Sequence, residues 1–157
     1  MLFLRYLIIS ILFVIASASA AANAPQAFGV GSMHKLKQDA KNHPVIVAFW
    51  ATDCTYCYEE LSLLREWGKK HPEVKVVLVA TDPPDNQTLV IQMLRKHGYS
   101  PESTSQFNDN YVEKIRYDID KRWMGELPRS YFLRGNQMKA ISGTLTEKQL
   151  NTWVTKK

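Results

Sequence analysis

The feature that most constrains this chain is the run Val45-Ile-Val-Ala-Phe-Trp50-Ala-Thr-Asp-Cys54-Thr-Tyr-Cys57, in which six consecutive apolar residues lead into two cysteines. An uninterrupted apolar run of this length suits a strand covered on both faces, as in a parallel sheet. The cysteines then fall where the strand hands over to a helix. They are the only two in the chain. Thiols at i and i+3 in the first turn of a helix sit side by side, and the unpaired backbone N–H groups of that turn favour a thiolate. Cys54, nearer the helix start, is therefore the expected nucleophile. Cys57, one turn further in, is placed to attack the mixed disulfide on Cys54 and release the partner. The pattern points to dithiol/disulfide exchange.

Three other uses of the pair fit less well. A purely structural disulfide gains chain-entropy stabilisation with loop length, and this loop is nearly the shortest available. A zinc site needs about four ligands, but there is no second cysteine pair, and His34, His43, His71 and His97 are scattered singly as surface or local packing residues. Two unpaired packing cysteines suit neither this spacing nor an exported chain. No metal and no organic cofactor is implied.

Export is read from the start of the chain. Arg5 precedes an apolar stretch from Tyr6 to about Ala18, shorter than the ~20 residues a spanning helix needs. Ala18-Ser-Ala20 suits cleavage before Ala21. The expected organisation is a signal peptide over 1–20, a loose tether over 21–26 and one domain over 27–157, periplasmic or otherwise exported. The alternative is a membrane anchor formed by the uncleaved segment. An exported chain with two cysteines at this spacing uses them for exchange more readily than for stapling. Its net charge of +5 is spread without basic blocks, so it reads as a solvated face and not as a nucleic-acid surface.

Along the chain, Ser32 begins a short amphipathic helix with Met33, Leu36 and Ala40 on one face, closed by Asn42-His-Pro44. After the strand 45–50, a helix over 54–70 has Cys57, Leu61, Leu64 and Trp67 as its apolar stripe, with Glu59, Glu60, Arg65 and Glu66 elsewhere. The segment 73–80 is a second buried strand, and Asp82-Pro-Pro-Asp85 turns into a helix carrying Leu89, Val90, Met93 and Leu94. Residues 99–110 carry no clear period and are expected to form a loop. Tyr111, Val112, Ile115 and Ile119 suggest a short helix, and 130–133 and 138–142 two strands joined at Gly135-Asn136. Thr146 and Gln149 have capping-box spacing, flanked by Leu145 and Leu150 as a hydrophobic staple. Leu150, Trp153 and Val154 would dock that last helix.

Alternation of helices and strands followed by a hairpin and a helix implies an α/β fold, a mixed central sheet with helices on both faces. With Trp50-Ala-Thr-Asp-Cys54-Thr-Tyr-Cys57 at the first strand-to-helix junction and Leu127-Pro128 before the hairpin, residues 27–156 resemble the thioredoxin fold. More narrowly, they resemble the TlpA-like exported redoxins, which include ResA-like and cytochrome-c-maturation reductases. The resemblance implies a cis proline at Pro128 beside the cysteine pair, with the backbone of Leu127 receiving the substrate chain.

The chain departs from that pattern at two places. Thioredoxins commonly carry a buried Asp two residues before the tryptophan, where this chain has Ala48, and Thr55-Tyr56 lacks the proline common between the cysteines of reducing relatives. Glu126 is the candidate to replace the lost proton acceptor, and Trp50 to shield the pair from water. Tyr56 would stand exposed at the helix start, and Asp53 would cap the helix and oppose the Cys54 thiolate.

Two functions follow. One is an exported thiol–disulfide oxidoreductase, monomeric, exchanging disulfides in exported cysteine-containing proteins; the resemblance implies their reduction, with electrons from a membrane thiol carrier, and net oxidation or isomerisation is the variant. The other is a peptide-binding module that holds extended chains at Leu127-Pro128 with its cysteines locked.

Overall fold

A computed structural model describes residues 23–155. The expected signal segment and the first two tether residues lie outside the described residues. The elements run β1 (Gln26–Phe28), α1 (Ser32–Asp39), β2 (Val45–Trp50), α2 (Thr55–Lys70), β3 (Lys75–Ala80), α3 (Gln87–Lys96), β4 (Ser105–Phe107), α4 (Val112–Ile119), β5 (Arg129–Arg134), β6 (Gln137–Ser142) and α5 (Glu147–Thr155). Single turns of 3-10 helix at Pro84–Asn86 and Pro101–Ser103 precede α3 and β4.

The strands form one mixed sheet in the order β1-β4-β3-β2-β5-β6. The first four are mutually parallel, β5 pairs antiparallel with β2, and β6 pairs antiparallel with β5. β2 lies inside it, and all six of its residues are buried. Its side chains alternate between two cores, as a strand covered on both faces must. Ile46, Ala48 and Trp50 pack with Cys57, Leu61, Leu64 and Trp67 of α2, Val90 and Leu94 of α3, and Leu150 of α5. Val45, Val47 and Phe49 pack with Met33 of α1 and with Ile115 and Ile119 of α4. The helices therefore cover both faces, as the apolar periodicity implied.

Two expectations need correcting. The stretch 99–110 contains β4, and the tether ends one residue early because Gln26 already belongs to β1. β1 and β4 pair in parallel, Gln26 with Ser105 and Phe28 with Phe107. Their cohesion comes from the Phe28 and Phe107 rings, stacked with centroids 6.1 Å apart. Strands of three residues leave no room for a period-2 pattern, and these two are joined only through tertiary pairing.

At the other edge, β5 and β6 turn through Gly135-Asn136 with Gly135 at φ +58, the glycine-first arrangement of a tight hairpin. At the last helix, the Gln149 N–H donates to Thr146 Oγ1 (3.3 Å) and the Thr146 N–H to Gln149 Oε1 (2.8 Å). The capping box read from the sequence is formed. Among the described residues no helix is long and apolar enough to cross a membrane.

Candidate active site

Cys54 and Cys57 are joined in a disulfide, with Cα atoms 5.4 Å apart. The helix begins at Thr55, so Cys54 is itself the N-cap, in extended conformation (φ −95, ψ 92), and not a first-turn residue. No side chain caps this helix, so the expected capping by Asp53 does not occur. Asp53 is exposed, and the first-turn N–H groups, without a side-chain acceptor, stay available to a charge on Cys54. The Cys57 N–H closes the turn on the Cys54 carbonyl at 3.1 Å. Cys57 is fully buried, whereas Cys54 is only partly so.

The surroundings are built from separate limbs of the fold. Trp50 and Cys57 share one apolar cluster, and Cys54 and Leu127 pack against it. Pro128 is buried and follows Leu127 through a cis peptide bond. Thr55 and Tyr56 are exposed, Tyr56 at 72%. Trp50 is 1% exposed, and its Nε1 has no partner.

The structure does not bring Glu126 to the cysteines. Its carboxylate accepts from Arg129 Nη1 at 2.8 Å, from Ser142 Oγ at 3.0 Å and from the Met124 N–H at 3.2 Å. Arg129 also pairs with Asp120 (3.1 Å) and bonds to Tyr131. Tyr131 lies in the core on the opposite sheet face from Cys57. Glu126 is thus a clasp on the loop leading to Pro128. In Asp120, burial alone would raise the carboxyl pKa, but the Arg122 N–H and the charges of Arg122 and Arg129 more than offset it and hold it below the ordinary range.

The buried acid nearest the pair along α2 is Glu60. It is 2% exposed, one turn beyond Cys57 on α2. It accepts from Ser130 Oγ and from the Leu145 N–H, each at 2.8 Å. Burial pushes its carboxyl pKa up, and the two hydrogen bonds offset that only in part. Ser130 is the register partner of Ala48. The carboxylate missing from β2 at Ala48 is therefore supplied to the same part of the core from α2. Its signal lay in the spacing, because i+3 from Cys57 falls on the buried stripe. Charge alone had placed Glu60 on the solvent side.

Such a site, with one accessible sulfur, one buried sulfur and a desolvated carboxyl a turn away, has the parts for thiol–disulfide exchange and proton transfer. Among the described residues no group of three or more His, Cys, Asp or Glu is placed to hold a metal ion.

Comparison with known proteins agrees with this geometry. Thiol-disulfide oxidoreductase ResA of Bacillus thuringiensis is 26% identical over 128 residues, covering 80% of this chain and 69% of that protein. The solved structure of MTB DsbF superposes with a TM-score of 0.59 at 21% identity, covering 75% of this chain and 83% of that one. A secreted Mycobacterium tuberculosis disulfide oxidoreductase homologous to E. coli DsbE gives a TM-score of 0.57 at 15% identity, covering 74% and 84%. The family model for AhpC/TSA matches residues 21–137. The chain belongs to the AhpC/TSA family, as a thioredoxin-fold protein of the TlpA/ResA-like kind.

Proposed function

We propose that the chain is a thiol–disulfide oxidoreductase that works outside the cytoplasm after loss of residues 1–20, reducing disulfides in exported cysteine-containing proteins with electrons from a membrane thiol carrier. The observation that carries this is the pairing of a partly exposed Cys54 with a fully buried Cys57 one turn from buried Glu60. In the reduced chain, the Cys54 thiolate attacks one sulfur of a client disulfide, and the other client sulfur leaves as a thiolate. Cys57 then gives its proton to Glu60, directly or through water, and attacks Cys54 Sγ. The second client thiolate leaves, and the Cys54–Cys57 disulfide forms.

Charge supports the reducing direction. The charged side chains nearest the two sulfurs along the chain, Asp53, Glu59 and Glu60, are all acids. Acids beside a dithiol disfavour its thiolates and make it a readier electron donor. The exposed Tyr56 and the Leu127–Pro128 segment form the face that a client meets, and the chain acts as a monomer. Export agrees with the basic, apolar and Ala18-Ser-Ala20 sequence of the first twenty residues and with the secreted protein named above. The test is expression of the full chain as Cys57→Ser, with amino-terminal sequencing and recovery of mixed disulfides from the extracytoplasmic fraction. The reading requires a start at Ala21 and adducts through Cys54. An intact start in the membrane fraction favours the anchored alternative.

A further inference from the structure

The carboxyl ends of β2, β3 and β4 carry a second polar cluster that the exchange steps above do not use. Asp82, just past β3, is buried. Its carboxylate accepts the Thr52 N–H at 3.1 Å and also the Thr52 hydroxyl. The Thr52 carbonyl in turn accepts the Tyr58 hydroxyl at 2.5 Å, and the Tyr58 ring stacks on His97 with centroids 5.0 Å apart. Behind Asp82, the buried Gln106 of β4 donates Nε2 to the Pro83 carbonyl at 2.8 Å and to the Asp82 carbonyl at 3.3 Å. The turn after β3 is thus gripped from β4 and itself grips the loop after β2.

Thr52 precedes Cys54 and Tyr58 follows it, so the segment that presents the accessible sulfur is held on both sides through Thr52. A neutral side chain could satisfy the same donors. A carboxylate adds a negative field where a thiolate must form. That field reaches across Thr52: burial first, and then the charges of Asp82 and Asp53, raise the pKa of the Tyr58 hydroxyl.

We propose that Asp82 is a positioning residue for the exchange reaction, holding Cys54 at the helix entrance through Thr52 and Tyr58 and biasing the cysteine pair towards the disulfide. The inference rests on the exchange reading above. The equilibrium it acts on is the chain disulfide plus two glutathione thiols giving the chain dithiol plus glutathione disulfide. The Cys54–Cys57 S–S bond breaks, the glutathione S–S bond forms, and two electrons with two protons pass to the chain. A negative group near Cys54 raises the energy of its thiolate and so reduces the share of the reduced form.

The experiment is equilibration of the full chain and its Asp82→Asn variant with glutathione at pH 8, where a cysteine of ordinary pKa is substantially ionised. Asn keeps an acceptor for the Thr52 N–H, and its amide can donate to the Thr52 hydroxyl. The expected result is an equilibrium constant about threefold further towards the dithiol, about 14 mV in potential. Faster alkylation of Cys54 by iodoacetamide accompanies it. Thermal melts of the oxidised and reduced forms are run in parallel, because a contact made equally in both forms lowers both melting temperatures and cancels from the potential. A wild-type equilibrium constant in Asp82→Asn, whatever its melting temperature, overturns the proposal while leaving the exchange reading intact. A wild-type chain that does not equilibrate with glutathione at all removes both.

Discussion

Ser130 Oγ donates to the Glu60 carboxylate at 2.8 Å, tying the strand that follows Pro128 to the helix turn that follows Cys57. This single contact joins the two limbs of the site across the core. It also places a desolvated acid opposite Ala48, where the strand itself provides no proton acceptor. Several consequences of this arrangement can be measured.

Glu60→Gln keeps an acceptor for the Leu145 N–H and removes the base. Release of mixed disulfides should slow by roughly tenfold or more near neutral pH, with the deficit shrinking at higher pH as Cys57 ionises unaided. Stopped-flow release rates from pH 6 to 9 check this. Stability should move the other way. Because burial raises the Glu60 pKa, the folded chain holds this proton more tightly than the unfolded chain. Wild-type stability therefore falls as pH rises from the ordinary carboxylate pKa through the raised one, and Glu60→Gln gains on wild type above that window only.

Ser130→Ala removes one of the two donors to Glu60 and should cost about 1–2 kcal/mol at neutral pH. The loss should be smaller at pH 4, where a protonated Glu60 needs the donor less. Urea unfolding at the two pH values tests this, and an equal loss at both would separate Ser130 from the charge on Glu60.

Cys57→Ser should accumulate mixed disulfides through Cys54, while Cys54→Ser should accumulate none, because Cys57 is fully buried. Non-reducing gels of trapped adducts decide it. Adducts in Cys54→Ser alone would reverse the assignment of nucleophile.

Glu126→Gln should leave release rates at the wild-type level, because its carboxylate is held by Arg129 and Ser142. Arg129→Met, by contrast, removes the buried guanidinium from Asp120, leaving only the exposed Arg122 at 3.6 Å, and should cost about 3 kcal/mol. The lowered Asp120 pKa fixes the pH dependence: the stabilisation is present above the ordinary carboxylate pKa and is lost as pH falls through the lowered one. The gap between Arg129→Met and wild type should therefore narrow towards pH 3.

The parts of this structure legible in the sequence are those where local pattern and tertiary role coincide. β2 reads as buried because every residue is apolar. α2 shows its stripe through Leu61, Leu64 and Trp67, and α5 announces its start at Thr146 and Gln149. The pairing of β1 with β4 was hidden, since it joins Gln26 to Ser105 across most of the chain and spans three residues. Glu60 was hidden for a different reason. A glutamate on an amphipathic helix ordinarily faces water, and only Ser130 and Leu145, distant in sequence, make its burial tolerable. Glu126 follows a different logic, because proximity to Pro128 along the chain says nothing about sheet face, and its carboxylate is taken by Arg129 and Ser142. Asp82 and Thr52 meet at the ends of neighbouring parallel strands, where register decides contact.

The most direct test of the account is the reduction potential of the Cys54–Cys57 pair in the mature chain, measured by equilibration in glutathione and dithiothreitol buffers. An exchange catalyst should titrate reversibly as a two-electron couple at a potential above roughly −300 mV. A disulfide that stays closed in buffers poised near roughly −300 mV would behave as a structural lock. That result would contradict exchange and favour a peptide-binding module in which the cysteines never cycle.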